Sequence, residues 1–224
     1  MITGLSFNSD GELTQIVARD LPEAWFLCLK GVLEHGHEYE VKTGSFPGQR
    51  RKEFNLVTIA VLMPHCRPLI PDTPSGVPPP SSIGYINEYL PYLMEDKKKK
   101  GEIYTYGEDI KPQLETLIKL LKDGGEGTNQ ACMSVGDKRS ILLEHSQCLR
   151  VIDTRILDDK LCFYVYFRSW DLWAGFPSNL AAIQLLKEYV ASEVGVCDGP
   201  LFAMSKGLHL YDHSWELAKK VVYR

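Results

Sequence analysis

Apolar residues recur along the first half of the chain with the spacings of helices and of a buried strand. Helical spacing predicts a core-facing helix over residues 24–35 and another over residues 111–123. A third helix is predicted from residue 83 to the lysine run at 97–100, which is typical of a solvated helix end. Residues 55–63 are mostly β-branched and aliphatic, which predicts a buried strand.

The second half of the chain contains a predicted hairpin, a long helix and a late strand. Two β-rich runs, residues 149–156 and 161–167, flank a short polar turn and therefore predict an antiparallel hairpin. A helix is predicted over residues 178–194, with a serine as its cap and a glycine as its stop. Residues 208–211 have the pattern of a strand.

The remaining segments give weaker predictions. Residues 36–54 indicate a polar crossing segment, and the seven prolines of residues 64–82 exclude regular structure there. Residues 103–106 resemble a strand, and residues 214–223 a short terminal helix or tail. Because strands and helices are mixed along the chain, we predict an α+β fold, a large mixed β-sheet with helices packed on one face.

Length and composition limit the possible classes of function. The 224 residues can bury one sizeable core without an internal boundary, which predicts a single domain over residues 1–224. A net charge of −4 argues against a protein that coats nucleic acid. No membrane span or signal peptide is recognised, and the six cysteines form no CxxC pair. These features predict a cytoplasmic protein with reduced thiols.

Seven polar residues from the hairpin, the loop after it and the late strand form a candidate site. Since the two ends of a hairpin meet, Cys148 and Arg168 are predicted to be neighbours in space. The set suits a small anionic ligand with a nucleophile beside it. His209 and His213 would suggest a metal pair only on a helix, and no third ligand cluster is evident, so no metal is expected. The seven residues are Cys148, Arg168, Ser169, Asp171, Asn179, His209 and Tyr211.

The order and spacing of these residues resemble a known family. Arg168 follows Cys148 by 20 positions, Asn179 follows Arg168 by 11, and His209 follows Asn179 by 30. The intervening motifs read Arg-Ser-x-Asp, Gly-x-Pro-x-Asn and His-x-Tyr. This ordered set closely resembles thymidylate synthase, in the short form seen in archaea, and the similarity extends over residues 24–213. The resemblance implies a homodimer formed sheet to sheet, with dUMP and a reduced folate as ligands.

The resemblance implies a role for each residue around the pyrimidine. Cys148 would add to C6 of dUMP as a catalytic nucleophile, and Arg168 would favour its thiolate. Arg168 and Ser169 would hold the nucleotide phosphate. Asn179 has a donor and an acceptor for N3–H and O4 of uracil, which favours dUMP over dCMP. The carbon donor would be 5,10-methylenetetrahydrofolate or a related methylene-carrying reduced pterin, and the product dTMP.

Five more residues receive roles from the resemblance. His209 and Tyr211, which alternate on a strand, would bind one ribose hydroxyl. Asp171 would hydrogen-bond the pterin ring of the cofactor. Glu88 falls where the family has its catalytic glutamate and would move protons at O4 and C5. Lys42 falls where the family has an arginine that reaches the nucleotide phosphate.

Four departures from the family pattern affect the phosphate and folate contacts. The phosphate position is Lys42 rather than an arginine, although Arg50 and Arg51 lie close by in the sequence. Residues 128–130 contain no arginine where the family's partner subunit contributes a pair. Only 18 positions separate Glu88 from Tyr106, so an insert that carries a folate-pocket tryptophan is expected to be missing. The sequence ends 15 positions after His209, so a closing tail is also expected to be missing.

Two alternative functions stay open at the level of sequence. An insert and a tail would exclude water, and water capture gives a hydroxymethyl product, so a dUMP or dCMP hydroxymethylase is one alternative. The other alternative is a nucleotide-binding homologue that has lost turnover, which would fit the missing arginines. Asn179 argues against dCMP as the substrate.

Overall fold

The structure is a computed structural model that describes residues 3–7, 13–43, 46–98 and 100–223. The strands are β1 (Gly4–Phe7), β2 (Leu13–Ala18), β3 (His37–Glu40), β4 (Arg50–Glu53), β5 (Leu56–Val61), β6 (Cys132–Ser134), β7 (Leu149–Leu157), β8 (Lys160–Phe167), β9 (Trp170–Asp171), β10 (Cys197–Ser205) and β11 (Leu208–Tyr211). The helices are α1 (Leu21–His35), α2 (Ile83–Met94), α3 (Gly107–Gly124), α4 (Gly175–Val194) and α5 (Trp215–Val222).

Within the described ranges, seven strands form one large sheet in the order β1-β2-β5-β10-β8-β7-β6. The sheet is mixed, because β5 is parallel to β2 and antiparallel to β10, while β8 is parallel to β10 and antiparallel to β7. The hairpin predicted from the turn chemistry is confirmed as β7 and β8. Its open end brings the start of β7 next to the end of β8, where the candidate site lies.

The helices cover one face of the large sheet. In β5, Val57, Ile59 and Val61 are buried, whereas Thr58 and Ala60 on the opposite face are partly exposed. Helix α1 packs on β2 and β5, and α4 packs on β8 and β10. This alternation buries one side of each strand in a common core with the helices. The predicted α+β fold, a large mixed sheet with helices on one face, is confirmed.

A second, smaller sheet has the order β3-β4-β11-β9 among the described residues. In its register, His209 of β11 lies opposite Glu53 of β4 and Asp171 of β9, and Tyr211 lies opposite Arg51 of β4. Directly opposed residues point to the same face of a sheet. His209 and Tyr211 therefore share one face, as their alternation predicts.

The segment at residues 36–54, predicted as a polar crossing, contains strands β3 and β4, which its polar composition does not indicate. Residues 50–53 are all charged, yet they form β4, which pairs with β3 and β11. Strands β1, β2 and β10 were also not predicted from the sequence. In β4 the charged side chains pair with each other and with neighbouring strands, so pairing across the sheet overrides low strand propensity.

The strand predicted at residues 103–106 is wrong. These residues connect α2 to α3, and α3 begins at Gly107 rather than at residue 111. A Cβ atom at Gly107 would lie only 2.1 Å from the Glu95 carbonyl oxygen, so glycine allows the two helix ends to pack closely. The tight junction leaves no extended segment that could join a sheet.

Helix α4 confirms the predicted helix but begins three residues earlier. The predicted cap is wrong, because Ser178 lies inside the helix and its Oγ donates to the Ala174 carbonyl at 2.9 Å. Asp171 instead accepts from the Ala174 and Gly175 N–H groups, both at 3.2 Å. The acidic side chain satisfies donors that the first helical turn leaves unpaired.

Candidate active site

The open end of the β7–β8 hairpin brings Cys148 and Arg168 together. The Arg168 N–H donates to the Cys148 carbonyl at 2.9 Å, which confirms that the two residues are neighbours. The Arg168 guanidinium also donates to the carbonyl oxygens of Gln147, at 3.0 Å, and Ser146, at 2.6 Å. Arg168 thus fixes the backbone segment that carries the thiol.

The thiol of Cys148 is half-buried, and this burial is the main influence on its pKa. Burial raises the pKa of Cys148, and the positive charge of Arg168 only partly opposes this effect. From the sequence, Arg168 is expected to favour the thiolate; its charge does act in that direction, but its effect on the pKa is smaller than that of burial. Near neutral pH, Cys148 in the free protein is therefore a thiol that must lose its proton to react.

Four tyrosines lie near enough to Cys148 for the charge of its thiolate to act on them. The rings of Tyr92 and Tyr106 meet edge to face with centroids 5.2 Å apart, and Tyr89 lies 5.4 Å from Tyr92. Burial raises the pKa of Tyr89, Tyr92, Tyr104 and Tyr106, and the negative charge of a Cys148 thiolate would raise it further. All four are therefore neutral phenols that can donate a hydrogen bond.

Three of these tyrosines, Tyr89, Tyr92 and Tyr106, line a groove that was not predicted from the sequence. The groove has a volume of about 470 Å³ and is bordered by lysines and glutamates. Tyr85, Tyr89 and Tyr92 fall at helical spacing on α2, a signal that could have revealed a shared aromatic face. The groove is lined by Tyr85, Tyr89, Pro91, Tyr92, Glu95, Lys97, Lys98, Glu102 and Tyr106.

Asn179 on α4 is held by two aromatic side chains. Its Oδ1 accepts from Trp170 Nε1 at 2.9 Å, and its Nδ2 donates to the Tyr89 hydroxyl at 2.6 Å. A carboxamide oxygen can accept twice and the NH₂ group can donate twice. One acceptor and one donor position of Asn179 therefore stay available, next to a cavity of about 260 Å³ that Tyr89 and Gly175 also line.

Asp171 and Ser169 flank the short strand β9. The carboxylate of Asp171 accepts three backbone N–H groups, which include that of Trp173 at 3.2 Å. Asp171 is therefore fixed at the start of α4, and it lies opposite His209 in the small sheet. Ser169 is half-buried between β8 and β9.

His209 and Tyr211 are both buried in β11. The Nδ1 of His209 lies 2.9 Å from the Gly207 carbonyl oxygen, which can only accept, so Nδ1 carries the proton and Nε2 is an acceptor. Burial, together with a smaller effect of the positive charge of Arg51, lowers the pKa of His209 to about 4. The ring of Tyr211 meets that of His209 edge to face, with centroids 4.9 Å apart.

The lowered pKa of His209 predicts an acid-sensitive stability. Between pH 6.5, its ordinary pKa, and about pH 4, the unfolded chain gains a proton at His209 while the folded chain does not. The free energy of unfolding is therefore expected to fall by up to about 3 kcal/mol over this window because of His209. Chemical denaturation from pH 7 to 4 of the wild type and of His209→Gln tests this: an equally steep pH dependence in the variant would contradict it.

Two of the remaining candidates are less well placed. Lys42 is exposed in the connection between β3 and β4, and its neighbour Gly44 lies outside the described residues. Glu88 belongs to α2 through its backbone, but its side chain lies outside what the structure describes. The structure thus brings Cys148, Arg168 and Asn179 towards the tyrosines and leaves the phosphate position exposed.

Comparison with known protein families identifies the family of this chain. The family model described as thymidylate synthase matches residues 105–224, which is more than half of the chain. This chain belongs to the thymidylate synthase family. The matched part contains Cys148, Arg168, Asn179 and His209, whereas Lys42, Glu88 and Tyr89 precede it.

Several curated thymidylate synthase relatives align with nearly the whole chain. A “Putative thymidylate synthase” of Methanococcoides burtonii is 27% identical over 216 residues, which are 92% of this chain and 94% of that protein. A protein of the same name from Methanosarcina mazei is 26% identical over 218 residues, which are 94% of this chain and 96% of that protein. The thymidylate synthase of Listeria monocytogenes is 29% identical over 118 residues, covering 53% of this chain and 37% of that protein.

Thymidylate synthases are methyltransferases that bind dUMP and use methylenetetrahydrofolate as co-substrate. In the part of this chain that the structure describes, no three histidine, cysteine or acidic side chains are grouped as metal ligands. Of the helices described, none has the length and apolar character needed to cross a membrane.

The smaller sheet adds polar residues that the sequence analysis did not assign to a thymidylate synthase site. Tyr39 and Arg51 lie in the same cross-strand row as Tyr211, and Glu53 lies opposite His209. The charged run at residues 50–53 hid this strand. A period-two pattern of Arg51 and Glu53 within the run was the available signal.

Proposed function

We propose that this member of the thymidylate synthase family converts dUMP to dTMP with a methylene-carrying reduced folate. The main support is the connection of Cys148 to Asn179 through the tyrosines. Tyr89 bonds the Asn179 carboxamide, and a Cys148 thiolate would raise the pKa of Tyr89, so thiol, phenol and carboxamide share one site. A nucleophile and a two-sided hydrogen-bonding group suit a uracil ring.

In the proposed reaction, the Cys148 sulfur bonds to C6 of the pyrimidine, and the C5=C6 electrons move toward O4. C5 thereby becomes nucleophilic, which covalent catalysis achieves in place of a direct and difficult attack. Glu88 is proposed to move protons at O4 and C5. With the one-carbon unit bonded to C5, loss of the C5 proton would release the carrier and leave a methylene group on C5, and hydride addition to that methylene would then expel Cys148 and restore the C5=C6 bond. The reduced folate, when bound, supplies the one-carbon unit and the hydride.

The tyrosine groove fits the ring system of a reduced folate. Four of its nine lining residues are tyrosines, and aromatic rings pack well against flat ring systems. Asp171 is proposed to accept hydrogen bonds from the pterin; its carboxylate is already fixed by three N–H groups, so little order is lost on binding. The rings also help to exclude water, which favours a methyl over a hydroxymethyl product.

The rest of the nucleotide is proposed to bind along the small sheet and the hairpin end. His209 Nε2 can accept from a ribose hydroxyl, and the Tyr211 hydroxyl lies on the same face. Arg168, Ser169 and Lys42 are proposed as phosphate contacts. In the free protein, the Arg168 guanidinium already donates to two backbone carbonyls.

We further propose that residues 1–224 act as one domain that forms a homodimer through the outer face of the large sheet. This face is a shallow, largely apolar concavity of about 760 Å³. The rings of Tyr164 and Phe202 stack on it at 4.9 Å, and Met204 is 39% exposed there. Extended apolar surfaces of this kind are typical of permanent interfaces.

Replacing Asn179 by aspartate is expected to shift the preferred substrate from dUMP toward dCMP. Cytosine has a donor, the N4 amino group, where uracil has the O4 acceptor, and a carboxylate can accept from that donor. The change of preference in kcat/KM is expected to be about 10- to 100-fold, the size of one or two exchanged hydrogen bonds. Steady-state kinetics with both nucleotides test it, and an unchanged preference for dUMP would rule out Asn179 as the base reader.

The formation of oxidised carrier tests the proposed reaction. Methyl transfer converts one tetrahydropterin to dihydropterin for each nucleotide consumed, whereas hydroxymethyl transfer leaves the carrier reduced. Absorbance of the carrier and chromatography of the nucleotide, followed together, give the ratio. A ratio of one supports the synthase; consumption of dUMP without oxidation would favour a hydroxymethylase, and binding of dUMP without either change a homologue that lacks turnover.

A further inference from the structure

A row of three side chains crosses the small sheet beside the proposed ribose contact. Tyr39 of β3, Arg51 of β4 and Tyr211 of β11 lie directly opposite one another in the strand register. Their side chains therefore point to the same face of the sheet. Arg51 is the charged member of this row, and its side chain is 20% exposed.

The Arg51 guanidinium is held in one orientation. Its Nε contacts the Tyr39 hydroxyl and lies 3.3 Å from Glu53 Oε2, and the guanidinium lies 4.9 Å from the centre of the Tyr39 ring. The Tyr39 hydroxyl in turn donates to Glu53 Oε2 at 2.8 Å. On its other side, Arg51 lies directly opposite Tyr211 of β11. The contacts with Tyr39 and Glu53 are made by Nε, and a guanidinium carries four further N–H donors on its two terminal nitrogens.

Arg51 differs from the other basic groups near the site. Arg168 already donates to two backbone carbonyls, and Lys42 is exposed in a connection. Arg50 points to the opposite face, where it contacts Glu38 and lies 5.7 Å from the Trp215 ring centre. A fixed, partly buried guanidinium suits a phosphate because less side-chain freedom is lost on binding.

We propose that Arg51 binds the phosphate of the nucleotide, so that this chain supplies a phosphate contact from its own small sheet. The proposal rests on the proposed function, in which Tyr211 holds a ribose hydroxyl. The phosphate is bonded to the same sugar, and Arg51 lies directly opposite Tyr211 on the same face of the sheet, so one ribose can bring its phosphate to the guanidinium. Glu53 balances part of the charge of Arg51 in the free protein, and a phosphate dianion would then take the terminal N–H groups.

The test compares two ligands that differ only in the phosphate. Equilibrium binding of dUMP and of deoxyuridine is measured by calorimetry for the wild type, Arg51→Gln, Arg51→Lys and the matched control Arg50→Gln. Arg51→Gln is expected to weaken dUMP binding about 10- to 100-fold and to leave deoxyuridine binding unchanged. Arg51→Lys is expected to lose less than Arg51→Gln, and Arg50→Gln is expected to bind both ligands like the wild type.

The other outcomes separate this proposal from the proposed function. Equal losses for dUMP and deoxyuridine would overturn it, because they would show that Arg51 only positions Tyr211. Unchanged dUMP binding in Arg51→Gln would also overturn it. A wild-type protein that binds neither ligand would overturn the proposed function together with this inference, whereas the first two outcomes leave the proposed function standing.

Discussion

Replacing Cys148 by serine is expected to lower kcat for dTMP formation by at least about 1,000-fold, or about 4 kcal/mol of transition-state stabilisation. A serine hydroxyl is far less acidic than a thiol and a weaker nucleophile toward C6. The Kd for dUMP is expected to change less than about threefold, since the proposed hydrogen bonds to the base and ribose do not involve the sulfur. Single-turnover kinetics and calorimetric titration with dUMP measure the two quantities.

Cys132→Ser is the matched control for this prediction. Cys132 is an exposed thiol on β6, so the same substitution there changes no group of the proposed site. Activity within about twofold of the wild type is expected for this variant, as for most surface changes. A near-normal rate for Cys148→Ser would remove Cys148 from the chemistry and with it the covalent mechanism.

Replacing Lys187 by methionine is expected to lower the free energy of unfolding by about 3–5 kcal/mol. Lys187 lies on α4 with a side chain that is 0% exposed, and its Nζ is 3.0 Å from Asp198 Oδ1. The Nζ also donates to the Gly199 carbonyl. Loss of the ammonium group leaves the carboxylate of Asp198, which is 16% exposed, without its main counter-charge. Urea denaturation at neutral pH measures the change.

A matched surface pair and a double variant check the cause. Lys219 pairs with Glu216 at 2.7 Å on the surface of α5, so Lys219→Met is expected to cost less than about 1 kcal/mol. Adding Asp198→Asn to Lys187→Met is expected to restore part of the stability, because it removes the unpaired charge. If Lys187→Met were as stable as the wild type, the buried ion pair would contribute no net stabilisation.

Short-range sequence patterns predict those parts of the site whose geometry is set within a single hairpin, strand or helix. The turn between β7 and β8 fixes which residues meet at its open end, so the neighbourhood of Cys148 and Arg168 follows from sequence. The face shared by His209 and Tyr211 follows from strand alternation in the same way. The long helix α4 follows from its apolar period.

Contacts between distant segments are not visible in such signals. The hydrogen-bond partners of the Asn179 side chain are Trp170 and Tyr89, and Tyr89 is 90 positions away in the sequence. The row of Arg51 depends on a charged strand whose stability comes from pairing with β3 and β11. The balance that raises the pKa of Cys148 depends on burial, which only the packed structure determines.

The mass of the nucleotide product tests the central claim most directly. The protein is incubated with dUMP and methylenetetrahydrofolate, and the nucleotide is analysed by mass spectrometry, with Cys148→Ser as the negative control. A gain of one CH₂ that depends on Cys148 is the result expected for a thymidylate synthase. A gain of CH₂O would contradict the proposal and indicate hydroxymethyl transfer, and unchanged dUMP would contradict methylenetetrahydrofolate as the carbon donor.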